Sequence, residues 1–308
     1  MNNLMEVLNL QILMFTVMGI GWYLRRKEII RVEDKRILTD LIIDLILPCN
    51  IIASFCMEMP QNIMVEGVLI LVVSCVIQLV CCLISKVLYN RYPQNERMVL
   101  QYGTICSNAG FLGNPIAEGF YGAQGLLYAA IFMIPQRIVM WSVGVAYFTE
   151  SPNIKALLKK IVVHPCIVSV FVGLGIMTFN LKLPYNLVHT IDTIGSSTTV
   201  MTMLLIGAIL AEADIRSLLT VTTCKFAILR LLLLPLLTFF CCKILQLPEI
   251  IGGLAVILVA MPAGTTTVIL ASKYKGNEEF ATKCVVLTTL LSLGIIPSWY
   301  MFIQYFYV

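Results

Sequence analysis

The sequence predicts an all-α polytopic membrane protein, with ten transmembrane helices in two halves of five that stand as a 5+5 inverted repeat. Three observations carry this. Of 308 residues, 59% are hydrophobic and 12% charged, with a mean hydropathy of +0.91; an ordinary soluble domain carries about twice that charged fraction. Ten apolar runs of spanning length follow one another along the chain. Lysine and arginine alternate between the connections that join them. A soluble chain of this size could not cover its surface with so few polar side chains, whereas a bilayer removes that demand.

A span needs about 20 mostly apolar residues. The first half offers residues 4–24, 37–57, 64–88, 98–120 and 124–148; the second offers 161–180, 187–210, 226–245, 250–272 and 280–307. Turn or charge signals separate every pair, among them Pro60-Gln61-Asn62, Tyr121-Gly122-Ala123 and Pro184. Residues 1–148 are thus expected to form one five-helix repeat, 149–160 a cytoplasmic linker and 161–308 the second repeat. The first run has no basic segment before it and no small-residue cleavage site after it, so it is expected to stay as a span. The 11 cysteines lie almost entirely in apolar runs and read as packing residues, since neither a disulfide framework nor zinc spacing is present. No metal or cofactor is expected. No basic run interleaved with aromatics argues for nucleic acid.

The connections after runs 1, 3, 5, 7 and 9, with their run ends, carry 17 of the 21 basic residues. The remaining connections and both termini carry 2, and Arg137 and Arg230 lie inside runs. By the positive-inside rule the 17 are cytoplasmic, which puts both termini outside the cytoplasm of a cell (inner) membrane. With five spans in each half the second half starts on the opposite side from the first, so homologous halves must be inverted. Gly19-Ile20-Gly21 recurs as Gly173-Leu174-Gly175, 154 residues on, and Pro115 of the fourth run is matched by Pro262 of the ninth, 147 residues on.

The fourth run contains Ser107-Asn108-Ala109-Gly110-Phe111-Leu112-Gly113-Asn114-Pro115. An interior glycine costs a helix about 1 kcal/mol and a proline about 3 kcal/mol relative to alanine, so this stretch cannot sustain an ordinary helix. Broken backbone at membrane depth belongs to a cavity, because its freed polar groups need protein or water. Pro115 suits the first turn of a restarting half-helix. The ninth run offers Met261-Pro262-Ala263-Gly264-Thr265-Thr266-Thr267, again a proline followed by hydroxyls. Two half-helix N-termini near mid-depth present partial positive charge and free N–H donors, an anion-binding arrangement. The plainer alternative is two proline kinks with no ligand.

The second and seventh runs carry polar, helix-weakening patches, Leu47-Pro48-Cys49-Asn50 and Gly195-Ser196-Ser197-Thr198-Thr199. Asn50 and Ser197 either flank the same cavity or serve only their own helices, as Ser and Thr often do. Ionisable residues inside a span are costly and need a reason. Asp40 and Asp44 sit at i, i+4 on one face of the second run, and Arg137 lies near the centre of the fifth. Arg137 either pairs with Asp44 or faces the substrate anion, and Asp40 or Asp44 is the candidate coupling-ion site, for H+ or Na+. Asp40, close to the cytoplasmic end, has plain solvation as its alternative. Glu118, Asp192, Arg230 and Lys283 lie nearer run ends and read as interfacial. Neither a nucleophilic triad nor a phosphate loop is present, so an enzyme is not expected.

These residues resemble the auxin efflux carrier family, which includes plant auxin carriers and bacterial permeases for dicarboxylates such as malonate or malate. The likeness rests on Leu47-Pro48 followed by Ser54-Phe55, on Asn108 with Gly113 and Pro115, on Met261-Pro262 through Leu270-Ala271 and Tyr274, and on Leu287-Thr288-Thr289-Leu290-Leu291-Ser292. The resemblance implies a 5+5 inverted repeat whose broken fourth and ninth helices cross at Pro115 and Pro262. It also implies an elevator-like carrier, a homodimer, and Asn108 as a contact to the substrate carboxylate. Two features depart from relatives. The long central loop of many plant carriers is replaced by the short 149–160 linker. No carboxylate sits beside Pro262, unlike the sodium sites of the distantly related bile-acid symporters.

The expected function is therefore a secondary transporter or facilitator of a small organic anion, a dicarboxylate or an auxin-like carboxylate. The carboxylate would lie between the half-helix ends, held by Asn108, Asn114, Thr265, Thr266 and Thr267, with Pro115, Pro262 and Gly264 shaping the backbone. Alternatives from other classes are a membrane sensor that binds without translocating and an anion channel.

Overall fold

The computed structural model describes residues 2–56, 63–148, 163, 165–179, 181–212, 218–274 and 276–307, and the expected linker 149–160 lies outside them. The described residues are almost entirely helical. Four helical stretches are long and apolar enough to cross a membrane: Val65–Leu88, Tyr185–Leu210, Val221–Ile244 and Glu278–Tyr307.

The helix Ile63–Leu88 shows how the chain meets its surroundings. Val65, Val68, Val72, Val76, Leu79, Leu83 and Val87 are exposed, whereas Ser74, Gln78 and Ser85 are buried. The apolar stripe recurs every three or four residues and faces outward, the reverse of a soluble amphipathic helix. Such a face suits lipid, where outward polar groups would be costly. Polar side chains turn inward and bond to neighbours.

Three of the other helical stretches contain a widened π-turn directly before a proline. Ile42–Ile46 precedes Leu47–Phe55 with Pro48, Ala109–Gly113 precedes Asn114–Val139 with Pro115, and Leu229–Leu233 precedes Leu234–Ile244 with Pro235. A proline ring clashes with the carbonyl four residues back and removes one N–H, and an i to i+5 turn relieves both problems without ending the helix. The stretch Asn114–Val139 is itself broken at Gly122, whose φ of 63° and ψ of −157° a side chain would resist. This is the turn foreseen at Tyr121-Gly122-Ala123.

Two short helices form the centre. Gln94–Ile105 is buried at every position from Val99 to Ile105, and Glu249–Val259 at every position from Ile251 to Val259. Twelve and eleven residues are each too short to span a bilayer. Both stop in the interior and point their ends at one place. At one surface Glu212 accepts hydrogen bonds from Arg25 Nε (2.8 Å) and Lys35, tying the end of Asn2–Arg26 to the end of Thr198–Leu210. Burial pushes the Glu212 carboxyl up, but the bonds from Lys35 and Arg25 outweigh it and hold it below the usual range.

Candidate functional site: the crossing of two broken helices

Helix Gln94–Ile105 ends where Cys106 becomes extended (φ −119°, ψ 99°), and helix resumes at Ala109. Helix Glu249–Val259 likewise ends, and Thr266–Lys273 begins only after residues 260–265. The two unwound pieces pair with each other. Ser107 and Ala263 form an antiparallel bridge, with Asn108 N donating to Pro262 O (2.7 Å) and Gly264 N donating to Cys106 O (2.9 Å).

Chain that leaves a helix inside a protein must find partners for its backbone. Here side chains from four other helical stretches supply them. Gln136 Nε2 donates to Ser107 O (2.8 Å) while its Oε1 accepts from Ser107 Oγ (2.8 Å). Gln78 Nε2 donates to Ile105 O (2.9 Å), and Thr288 Oγ1 accepts from Ala263 N (3.2 Å). Arg230 does the most. Only 3% exposed, it donates from Nη1 to Thr104 O (2.9 Å) and from Nε to Met261 O (3.1 Å). One guanidinium thus joins the last turn of one incoming half-helix to the chain just past the end of the other, where the helix dipoles favour a cation. Its own π-turn is pinned by Trp299 Nε1, which donates to Leu231 O (2.8 Å). Arg230 is therefore no interfacial residue, as its place near a run end suggested, but the anchor of the crossing.

The position of the crossing also differs from the expectation. It falls at Ser107 and Ala263, next to Pro262 but eight residues before Pro115 (115 − 107). Pro115 lies within resumed helix, after the π-turn that accommodates it. The paired residues are 156 apart (263 − 107), closer to the glycine offset of 154 than to the proline offset of 147. Gly264 sits at a close approach of the two chains. A Cβ there would meet Cys106 Sγ at 3.0 Å and Cys106 O at 3.3 Å.

Two cavities flank the crossing. The first, with about 60 Å³ of free space, is lined by Asn108, Gly264, Thr265, Thr266, Gln136 and Arg137, with Ile43, Leu47, Met133 and Met140. That is room for about four water molecules or the head of a small acid. Asn108 Nδ2 and Thr265 Oγ1 are buried without a hydrogen-bond partner, while Thr266 Oγ1 is taken up by Tyr102 (3.1 Å). An unmet buried polar group costs about 1–3 kcal/mol, so two at one cavity mark a place prepared for something polar. Arg137 is buried, 4% exposed. Among the described residues Arg137 and Arg230 are the buried charged side chains.

The second cavity, of about 40 Å³, is lined by Asn50, Asn114, Pro115, Glu118 and the Gly195–Thr199 stretch. Both amide atoms of Asn114 and the Oδ1 of Asn50 lack partners. The sequence suggested one site for Asn108, Asn114 and Thr265 to Thr267, with Asn50 and Ser197 either flanking it or serving their own helices, and read Glu118 as interfacial; the structure sets Asn114, Asn50 and Glu118 at this second cavity, apart from Asn108. Ser197 faces neither, its hydroxyl donating to Ile194 O (2.6 Å). Thr267 is fully buried with an unmet hydroxyl but lines neither cavity. Asp40 and Asp44 are exposed and apart from the crossing. Asp40 pairs with Arg36 at 3.8 Å, and the described ion pairs include none between Asp44 and Arg137.

Comparison with known proteins agrees with this architecture. A family model described as membrane transport protein matches residues 7–157 and 150–300. The chain is 20% identical over 303 residues to an uncharacterized transporter of Methanocaldococcus jannaschii, covering 91% of this chain and 93% of the relative. It is 25% identical over 195 residues to an uncharacterized transporter of Methanothermobacter thermautotrophicus, covering 62% and 63%. A buried crossing flanked by two cavities with unmet polar atoms, apolar faces turned outward and a family match over nearly the whole length converge, and the chain belongs to the membrane transport protein family, that of the auxin efflux carriers.

Proposed function

We propose that this transporter is a secondary carrier of a small organic anion, a dicarboxylate or an auxin-like carboxylate, bound in the first cavity. The observation that carries the reading is electrostatic. Arg230 is buried at the crossing, the buried side chains among the described residues include no Asp or Glu, and Asn108 Nδ2 and Thr265 Oγ1 have no hydrogen-bond partner. In a site shielded from water such charge acts at greater strength than in solvent. A carboxylate is the simplest guest that meets both demands.

Further features support an inverted repeat and an elevator-like movement. The first helix packs on Thr198–Leu210 through Gly21 and Gly207, and Pro165–Thr178 packs on Leu47–Phe55 through Gly173. Those two contacts exchange partners between halves, as a two-fold axis in the membrane plane would require. The crossing is bonded chiefly to itself and to Arg230, Gln78, Gln136 and Thr288, so it is able to shift as one body. In this reading ten spans lie in a cell membrane with both termini outside, following the alternation of basic residues. A homodimer follows from the family likeness alone.

The test is counterflow of labelled malonate in proteoliposomes. Asn108→Ala should lower exchange at least 10-fold while thermal stability holds or rises, because the deleted amide donor has no partner within the protein. Undiminished exchange in that variant would remove Asn108 from the site. Binding without any counterflow would mark a sensor, and single-channel steps a channel.

A further inference from the structure

The second cavity differs from the first in what its atoms have left to offer. Asn50 Nδ2 is directed at Gly195 O (3.4 Å), which leaves its Oδ1 as the unmet atom. Thr198 Oγ1 donates to Gly195 O (2.6 Å) and Ser196 Oγ to Thr193 O (2.8 Å), so both hydroxyls have spent their protons and present lone pairs. Asn114, 1% exposed, has both amide atoms unmet at the cavity wall. No lysine, arginine or histidine is among the lining residues. Oxygen lone pairs thus outnumber donors, and the only full charge on the wall is negative.

We propose that this cavity binds an alkali cation of sodium size through Asn50 Oδ1, Asn114 Oδ1, Thr198 Oγ1 and the Glu118 carboxylate. A hard monovalent cation takes neutral and anionic oxygens as ligands and does not need the several carboxylates that a divalent ion attracts. The volume of about 40 Å³ leaves room for the ion and about two waters. An anion is disfavoured there by Glu118 and by the scarcity of free protons. The crossing separates the two cavities, with Asn108 on one side and Asn114 one and a half turns later on the other. Occupation of both would place opposite charges across the same moving piece, which couples the cation to the anion. The coupling role rests on the anion-carrier reading; the binding of sodium does not.

The measurement is thermal unfolding of the purified full chain in about 100 mM sodium, potassium or choline chloride, at matched ionic strength. Sodium should raise Tm by about 3 °C over choline, the effect expected when a ligand exceeds its Kd about 10-fold. Asn114→Ala and Glu118→Gln should each abolish that rise, and Asn108→Ala should keep it. Asn114→Asp, which adds a charged ligand, should enlarge it. Should the alanine variant fail to fold, binding of labelled sodium to the unmodified protein, displaced by lithium and not by choline, reads the same site. Equal stabilisation by all three salts, or a sodium rise that survives Asn114→Ala combined with Glu118→Gln, overturns the proposal. A sodium rise in a protein that exchanges no organic acid would leave the site standing and remove the anion reading; malonate exchange without a sodium rise would do the opposite.

Discussion

Asn108 and Asn114 are the same residue type, six positions apart and both buried, yet they serve cavities of opposite character. Around Asn108 the unmet Nδ2 and the Thr265 hydroxyl are set, with the Arg137 guanidinium, in a largely apolar wall. Around Asn114 the Ser196 and Thr198 hydroxyls and one Asn50 amide proton are given to backbone carbonyls, which leaves Asn50 Oδ1 and the two hydroxyl oxygens as acceptors. The difference lies less in which residues are present than in which of their atoms are already engaged. An amide is neutral to sign; its neighbours decide what it holds.

The strongest way to break this contrast is to remove the charge behind the first cavity. Arg230→Met leaves the carbonyls of Thr104 and Met261 without their partner. The expected loss is about 2–6 kcal/mol, roughly 5–15 °C in Tm, together with malonate binding. Arg230→Lys should rescue little, since an ammonium cannot reproduce the two-direction fork. An unchanged Tm would mean that the crossing is held by something other than this arginine.

A gentler change sharpens the comparison. Gly264→Ala places a methyl against Cys106 at the first cavity and touches nothing at the second. It should cost about 1–3 kcal/mol, weaken malonate binding several-fold, and leave the sodium shift as it was. Parallel loss of both responses would show that the two cavities are one.

The smallest effect is expected far from either cavity. Glu212→Gln breaks the contacts with Arg25 and Lys35 at a site about a third exposed, so the cost is below about 1 kcal/mol at neutral pH. The carboxyl titrates lower folded than unfolded, so its contribution is present above the unfolded value of about 4.3 and fades as pH falls through the folded value. Unmodified protein and variant should therefore converge in Tm at acid pH, while malonate and sodium responses at neutral pH stay equal.

Much of this fold was legible from apolar runs, because lipid demands long apolar helices and little else at the outer surface. The stripe on Ile63–Leu88 and the turn at Gly122 are local properties of local residues. The crossing was legible only to within a turn or two. Proline drew attention to position 115, yet a π-turn absorbs that proline, while the true break at Cys106 to Asn108 contains no breaker stronger than an asparagine. What unwinds it is hydrogen bonding to residues 262–264, a non-local cause that no window around residue 107 contains. Arg230 was misplaced for a similar reason. The apolar run begins at residue 226, but the helix begins at Val221, which carries the arginine toward mid-span. Asn50 and Asn114 were recognised as polar residues at depth; their separation from Asn108 depends on side-chain partners that spacing does not reveal.

The stitch between Ser107 and Ala263 also bears on how the protein is made. During synthesis the first half of the chain enters the bilayer well before residue 263 leaves the ribosome. Until then the Cys106 carbonyl and the Asn108 N–H have no mate, and in hydrocarbon each such group costs several kcal/mol. The nascent first half must keep that stretch wet, or sheltered by insertion machinery, and complete its middle only when the last third of the polypeptide arrives.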